Sequence, residues 1–378
     1  MSREKAEEIP TVAGAVGIIS RTAANVPIKL YKRDGEKVIE IKDDKRVRLL
    51  NFETGDTLDA KQMKQAMFRD YYLGKGGYCF VNKIGLQVES LHYVPCDDVE
   101  VVKGADVIFK DYAILVQEKR YYPHQFIKVL RNSIDGAEGK SIVDQNERVI
   151  SVAYNSIKYE ETLVQTGGNK KGFIKSQKKL TQEAIDALKR AWKKLYQNNS
   201  ENVVVLNEGL EFQESSNTSV EMQLNENKKT NGEEICKIFN ISPSIMDGTV
   251  KEDDDKHMIK YCITNLLEEF TTALDKVLLL ESEKDTYFFA ADMYELTKGD
   301  IDKRYAAYKT ASETGWLQID EIRKKENLEP LGLNMVKLGL QDVLYDPDKG
   351  LIYIPNTNQI YKIGGENKGQ ESSLEVNQ

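Results

Sequence analysis

The strongest constraint on this chain is an apolar stripe near its C-terminal third. Between Lys256 and Glu281, Met258, Cys262, Leu266, Phe270, Leu274 and Val277 recur at intervals of four, four, four, four and three, and Ile259, Ile263 and Leu267 widen the same face. Spacing close to 3.6 residues predicts a long helix with one broad face that must be covered by other parts of the chain.

The N-terminal region offers such cover. Residues 6–26 are small and apolar at mixed helical spacing, with Val12, Val16 and Ile19 on one face, and they stop at Pro27. The segment PIKLYKRDGEKVIEI then alternates polar and apolar about Asp34-Gly35, a hairpin signal. Helical spacing returns from Asp59 to Leu73 and ends at Gly74, Gly76 and Gly77. From Tyr78 to Leu130, runs of β-branched and aromatic residues predict short strands, so the first 135 residues read as one α+β unit.

After SIDGAEGKS the chain becomes helical. Ser141 to Val164 places Ile142, Val149, Val152, Ile157 and Leu163 among many polar residues. So narrow a stripe predicts a helix that meets partners on more than one side and still sees solvent. TGGNKKG breaks it, and a second helix runs from Thr181, a plausible N-cap, to Gln197, with Ile185, Leu188, Trp192 and Leu195 on one face. A strand pair is expected over NVVVLNEGLEFQE, turning near Glu208-Gly209, followed by a polar helix. ISPSIMDGTVKEDDD reads as a loop from Pro243, Gly248 and its acidic run. Beyond the striped helix come a strand over DTYFFAADMYEL and short helices at 300–313 and 318–326. A chain rich in Asn, Gly and Ser follows from Asp346, its last dozen or so residues expected to be disordered.

Composition narrows the function classes. At 378 residues the chain has room for two or three packed units, and 30% charged residues with a mean hydropathy of -0.52 leave much of its surface polar. No apolar run approaches the roughly 18–20 residues that span a bilayer. MSREKAEEIP lacks the pattern of a signal peptide, so a soluble protein made inside the cell is expected. Cys79, Cys96, Cys236 and Cys262 form no CxxC pair, and with only His92, His124 and His257 no zinc spacing arises. Nucleotide-binding, nucleophile-elbow and zinc-protease motifs are missing. LGKGGY precedes a strand instead of opening a helix, so it reads as a helix stop, and His124 sits in an aromatic turn with no sequence-placed nucleophile. No cofactor or metal is expected. A net charge of -8 argues against a protein that grips nucleic acid over its whole surface, since such grip requires Lys and Arg, but not against one past which DNA slides.

Two charge blocks remain. Thr166–Ser200 carries a balance of +7, and Asp247–Asp255 a balance of -4. Either can be a plain solvated face.

The order of elements resembles the portal protein family of tailed bacteriophages, of the long-tailed-phage type. IISRTAANVPIKLYKRDGEKV is similar to the family's opening helix and hairpin, and YYLGKGGYCFVNK with LHYVPCDDVEVV to its loop and aromatic strand. IDGAEGKSIVDQNERVISVAYNSIKYEE resembles its turn and long helix, and EICKIFNISPSIMDG its helix-to-tunnel-loop junction. The resemblance covers roughly residues 10 to 330. It implies an α+β portal fold: a wing over 1–140, stem helices over 141–165 and 216–240, and a small α/β clip over 166–215. A tunnel loop over 241–255, the long helix and a wing strand over 256–298, a small helical crown over 299–335 and a tail over 336–378 complete it. It also implies a homo-oligomeric ring, a dodecamer as a rule, at one capsid vertex of the virion. Double-stranded DNA would pass through without sequence reading. The terminase large subunit, a head–tail adaptor and the major capsid protein or scaffold would be partners, and no membrane or enzymatic activity is implied. Ser242, Ser244, Lys251, Glu252 and Asp253 would then lie at the channel, with Lys228 and Lys229 on the stem's channel face. Lys170, Lys171, Lys175, Lys178 and Lys179 would form a docking surface on the clip. Two rival readings stand beside this one: a magnesium-dependent nuclease using Asp253–Asp255, and a monomeric partner-binding adaptor using the clip lysines.

Overall fold

The computed structural model describes residues 1–35, 37–106, 108–165, 172–176, 181–197, 210–214, 218–297, 301–326, 328–332, 335–338, 343–346, 349–357 and 359–362. Helices and antiparallel sheets segregate along the chain, an α+β architecture. The chain divides into two compact units, residues 1–295 and 296–378.

In the first unit, α1 (Arg3–Glu7) leads into α2 (Pro10–Asn25), whose first position is a proline, where the missing N–H costs nothing. Val12, Ala15, Val16, Ile19 and Ala23 of α2 are buried, and the helix packs on α4 (Ala60–Leu73). Strands β1 (Ile28–Asp34) and β2 (Lys37–Ile41) form the expected hairpin, with Asp34 opposite Lys37 and Gly35 at φ +60°. Between hairpin and α4 lies α3 (Lys45–Asn51), unforeseen because it is short and basic; Asp44 caps it by accepting from the Arg46 N–H at 2.8 Å. Asp59 and Gln62 close a capping box on α4.

Strands β3 (Gly77–Ile84) and β4 (Gln87–Val94) pair as a hairpin. Gly77 has to be glycine, since a Cβ there would fall 2.4 Å from the Met67 carbonyl oxygen. The glycine cluster is thus the end of α4 and a close packing point, as the sequence implied. A second sheet holds β5 (Val99–Lys103), β6 (Tyr112–Val116) and β7 (Lys119–Tyr121), while β8 (Phe126–Val129) returns to the free side of β3. Tyr78, Cys96, Val99, Ile114 and Phe126 form the core shared by the two sheets.

The first polar helix is broken in two, α5 (Ile142–Gln145) and α6 (Glu147–Gln165). The break falls at Asn146, whose side-chain amide donates to the Ile142 carbonyl and competes with the helix ladder. Next come β9 (Gly172–Ser176), α7 (Gln182–Gln197) with Thr181 accepting from the Ala184 N–H, and β10 (Leu210–Glu214). Of the expected strand pair over 202–214, only the second strand falls among the described residues. Strand β10 is antiparallel to β9, with Leu210 opposite Ser176 and Glu214 opposite Gly172, whereas residues 201–209 lie outside the described residues. Only two apolar residues, Phe173 and Ile174, stand in the strand that follows the TGGNKK run, too few to announce β9 by alternation.

Helix α8 (Thr218–Ile238) is followed by α9 (Pro243–Asp247), α10 (Glu252–Met258), a single π-helical turn (Ile259–Ile263) and α11 (Thr264–Leu278). The six stripe residues are all buried. Phe270 meets Phe68 of α4 edge-on at 5.3 Å, Lys83 donates to the Val277 carbonyl, and Arg46 holds the Leu278 carbonyl and Glu283. Strand β11 (Tyr287–Ala291) then joins the outer side of β1, closing a sheet with the order β11-β1-β2.

Helix α12 (Tyr294–Thr297) leads out of the first unit. The second unit contains α13 (Ile301–Glu313) and α14 (Ile319–Lys325), close to the expected bounds. It also contains four antiparallel strands, β12 (Val336–Leu338), β13 (Val343–Asp346), β14 (Leu351–Ile354) and β15 (Gln359–Lys362), in sequence order. The expected tail over 336–378 is therefore a sheet as far as Lys362; its last residues, 363–378, lie outside the described residues. Strands of three or four residues separated by Asp, Gly and Asn turns have the composition of a loose chain, which is why the pattern misled.

Candidate channel face: the stem helices and the 241–258 junction

The junction is built around the end of α8. Asn240 adopts a left-handed conformation (φ +54°), the Ile241 N–H bonds the Cys236 carbonyl at 3.0 Å and the Asn240 N–H bonds the Lys237 carbonyl at 3.1 Å. These are the two bonds of a Schellman cap, and the buried Ile241 and Cys236 supply its apolar contact. The Cys262 thiol donates to the Phe239 and Asn240 carbonyls at 3.2 Å, tying the cap to the π-helical turn.

The expected tunnel loop is mostly helical, a correction to the reading from Pro243, Gly248 and the acids. Proline opens α9 and Gly248, at φ +73°, ends it. Only Gly248–Lys251 remains between helices. The acids Glu252, Asp253, Asp254 and Asp255 fill the first turn of α10, where free N–H groups and the helix dipole favour negative charge. An acidic run therefore starts a helix here instead of lining a loop.

Ser242 and Ser244, both half-buried, are bonded to each other through their hydroxyls at 2.8 Å. Ser244 donates to Asp254 at 2.6 Å, and the Lys251 N–H reaches the same carboxylate oxygen at 3.2 Å. These hydroxyl bonds, Ser244's first, hold the Asp254 carboxyl below the usual aspartate range. Lys251, Glu252 and Asp253 are exposed, and Glu252 pairs with Lys256 at 2.8 Å. The structure thus brings Ser242, Ser244 and Lys251 together around Asp254, a residue the channel set omitted. Asp254 sits at N3 of α10 and accepts from the Lys251 N–H, but a lysine at the N-cap is no capping signature, so no local signal announced it. The carboxylates of Asp253–Asp255 fan out around a helix start. Among the described residues no group of three or more His, Cys, Asp or Glu converges as a metal site requires.

Helices α6 and α8 pack together, with Ile150, Ala153 and Ile235 buried. Lys228, expected to face the channel, bonds Glu160 of α6 at 2.8 Å. Its partner was invisible in the sequence, because 68 residues separate the two and only the packed helix pair unites them. Lys229 is exposed. On α6, Val152 and Tyr159 remain 55% and 46% exposed, about 140° around the helix from Ile150, Ala153 and Ile157. Of the clip lysines, Lys175 is exposed on β9 opposite Glu211; Lys170, Lys171, Lys178 and Lys179 lie outside the described residues. Among the described residues no helix is long and apolar enough to cross a membrane.

Fold and site define a class: an α+β chain whose wing-like body carries a polar helix pair and a long striped helix, with no convergent catalytic set among the described residues. The phage portal protein family model matches residues 10–327, and the chain belongs to that family. A relative described as "Probable portal protein", from Streptomyces phage phiC31, is 20% identical over 368 residues, covering 90% of this chain and 80% of its own length. A crystal structure of an HK97-family phage portal protein from Corynebacterium diphtheriae matches with a TM-score of 0.59 at 13% identity, over 78% of this chain and 96% of the other. A chain from the neck of an empty gene transfer agent particle, computed with C6 symmetry, matches at 0.58 and 18% identity, over 85% of this chain and 90% of the other. A chain from the neck of a native particle, computed with C12 symmetry, matches at 0.55 and 17%, with the same coverage. These likenesses establish the fold. Family membership makes the chain a portal subunit of a virion, in a family whose role is structural.

Proposed function

We propose that copies of this portal subunit close into a ring, a dodecamer by resemblance to the family, whose axis passes double-stranded DNA inward during packaging and outward during ejection. The wing would comprise residues 1–140 and 282–298. The stem is α6 and α8, the clip is 166–215, and the junction over 241–255 faces the axis with the long helix behind it. A crown begins near residue 299. The clip would receive the terminase large subunit and later the head–tail adaptor, and the wing would meet capsid protein or scaffold.

The observation that carries this reading is the second apolar face of α6. A helix already packed on α8 leaves Val152 and Tyr159 in solvent, as a stem helix would if it waited for a neighbouring subunit. In a head-to-tail ring each contact is repeated, and every inward charge becomes a circle of charge. Exposed Glu252, Asp253 and Asp255 would then present acid to the passing phosphates, while few lysines guide them. Weak contact suits a conduit, because each firm phosphate contact adds salt-dependent affinity. The chain would act passively, the motor supplying hydrolysis.

Negative-stain imaging with native mass measurement of the purified chain tests this: closed rings are expected, and a species that stays monomeric at high concentration and with scaffold present favours the adaptor reading. Incubation with DNA and magnesium tests the nuclease reading, since cleavage lost in Asp254→Ala would overturn passivity.

A further inference from the structure

The wing holds a pocket to which DNA conduction gives no task. About 360 Å³ in volume, it lies among the end of α2, the β1–β2 hairpin, α3 and the first turns of α4. Its walls are apolar at Ile28, Ile41, Val47 and Phe52, and basic at Lys42, Lys61 and Lys64. The other two charged residues that line it satisfy each other and Asp292: Lys29 lies 2.8 Å from Asp292 and 3.6 Å from Glu40. Among the described residues, Lys42, Lys61 and Lys64 have no ion-pair partner.

Lys64 is the unusual member. It is 2% exposed, and its ammonium, with three protons to donate, makes one hydrogen bond, to the Val26 carbonyl at 3.0 Å. Burial, aided by repulsion from Lys61, pushes its amine down to about 8. A buried cation without a counter-charge is costly, and an arriving anion removes that cost. A DNA duplex is a poor candidate for that anion. It is a broad rod that is held by exposed cations spread over a surface, whereas here the least compensated cation is buried at an apolar-walled pocket.

We propose that this pocket docks an acidic segment of a partner protein, a carboxylate engaging Lys64, Lys42 and Lys61 while an adjoining apolar side chain packs on Ile28, Ile41, Val47 and Phe52. The claim concerns the wing alone and stands apart from ring closure.

The test is calorimetric titration of the full chain with a short blocked peptide of alternating leucine and glutamate. The glutamine version of that peptide and inorganic phosphate, all at one ionic strength, are the comparisons. Saturable binding is expected for the glutamate peptide. Binding should be at least about tenfold weaker for the glutamine peptide and for Lys64→Met, a charge-assisted hydrogen bond being lost in each case. The double variant Lys42→Gln/Lys61→Gln, which keeps the buried amine, should also weaken binding with an unchanged circular dichroism spectrum. No binding, equal binding to wild type and both variants, or a stronger response to phosphate than to peptide would overturn the proposal. Native mass on the same samples keeps the two readings separate: binding without rings counts against the portal assembly only, and rings without binding against the pocket only.

Discussion

The region proposed as the wing and the α6–α8 pair proposed as the stem solve the problem of polar groups in opposite ways. In the wing, Asp70 is fully buried yet receives Arg3 at 2.5 Å, the Tyr93 hydroxyl at 2.7 Å and the Cys96 N–H at 3.0 Å. Arg46 grips Asp44, Glu283 and the Leu278 carbonyl at once. In the stem, α6 and α8 share a thin apolar seam and an ion pair whose two ends, Lys228 and Glu160, are 59% and 28% exposed. A small cavity of about 110 Å³ remains beside that seam, lined by Ile9, Ala153, Ile157 and Ile235. The first region pairs Asp70 and Arg46 inside one chain, whereas the second leaves Val152 and Tyr159 of a packed helix exposed. On the proposed reading, stability rests on the first region and ring contacts on the second.

The largest effect should come from cutting the core that the long helix shares with α4. Phe270→Ala removes a fully buried ring packed on Phe68 and should destabilise the isolated chain by about 3–5 kcal/mol in urea unfolding. A loss below about 1 kcal/mol would mean the striped helix is not core.

Lys64→Met should act in the opposite direction. The Lys64 amine titrates near 8 when folded and at its ordinary 10.5 when unfolded. Between these values the unfolded chain binds more protons, so wild-type stability rises with pH across that window. The variant should be more stable than wild type by about 3 kcal/mol at neutral pH, with the advantage fading as pH climbs through 8 toward 10.5. Unfolding curves of both proteins at a series of pH values check this, and a pH-independent difference would break it.

The stem should respond differently. Val152→Asp with Tyr159→Asp should abolish rings yet shift the monomer's unfolding by no more than about 0.5 kcal/mol, as exposed positions do. With no effect on rings expected, Lys228→Ala should cost about 0.2–1 kcal/mol, the range of an exposed ion pair, and less at high salt. A cost of several kcal/mol at either stem site would erase the contrast between the regions.

Legibility in the sequence followed the same division. The stripe from Met258 to Val277 was readable because period alone decides which face of a long helix is covered, and all six residues are buried. Proline and glycine also marked helix ends correctly at Pro27 and at Gly74–Gly77, but Pro10 gave no warning that it opens α2, and Gly248 and the acids Glu252–Asp255 were mistaken for loop. Their place at a helix start depends on the helix dipole and on Ser244 reaching Asp254 from another element. Lys64 was passed over because a lysine beside Met63 and Met67 reads as surface, and only packing shows that α4 buries it. Strands β12–β15 were missed for want of length, and the Lys228–Glu160 pair for want of any local signal. What the sequence hides is what arises between elements.

The central claim is that α6's open face is an interface between copies of this chain. Native mass measurement of the full-length protein beside its Val152→Asp/Tyr159→Asp variant tests it most directly. A closed multi-subunit ring is expected for the wild type and a folded monomer for the variant. Rings of equal size and abundance from both proteins would contradict it.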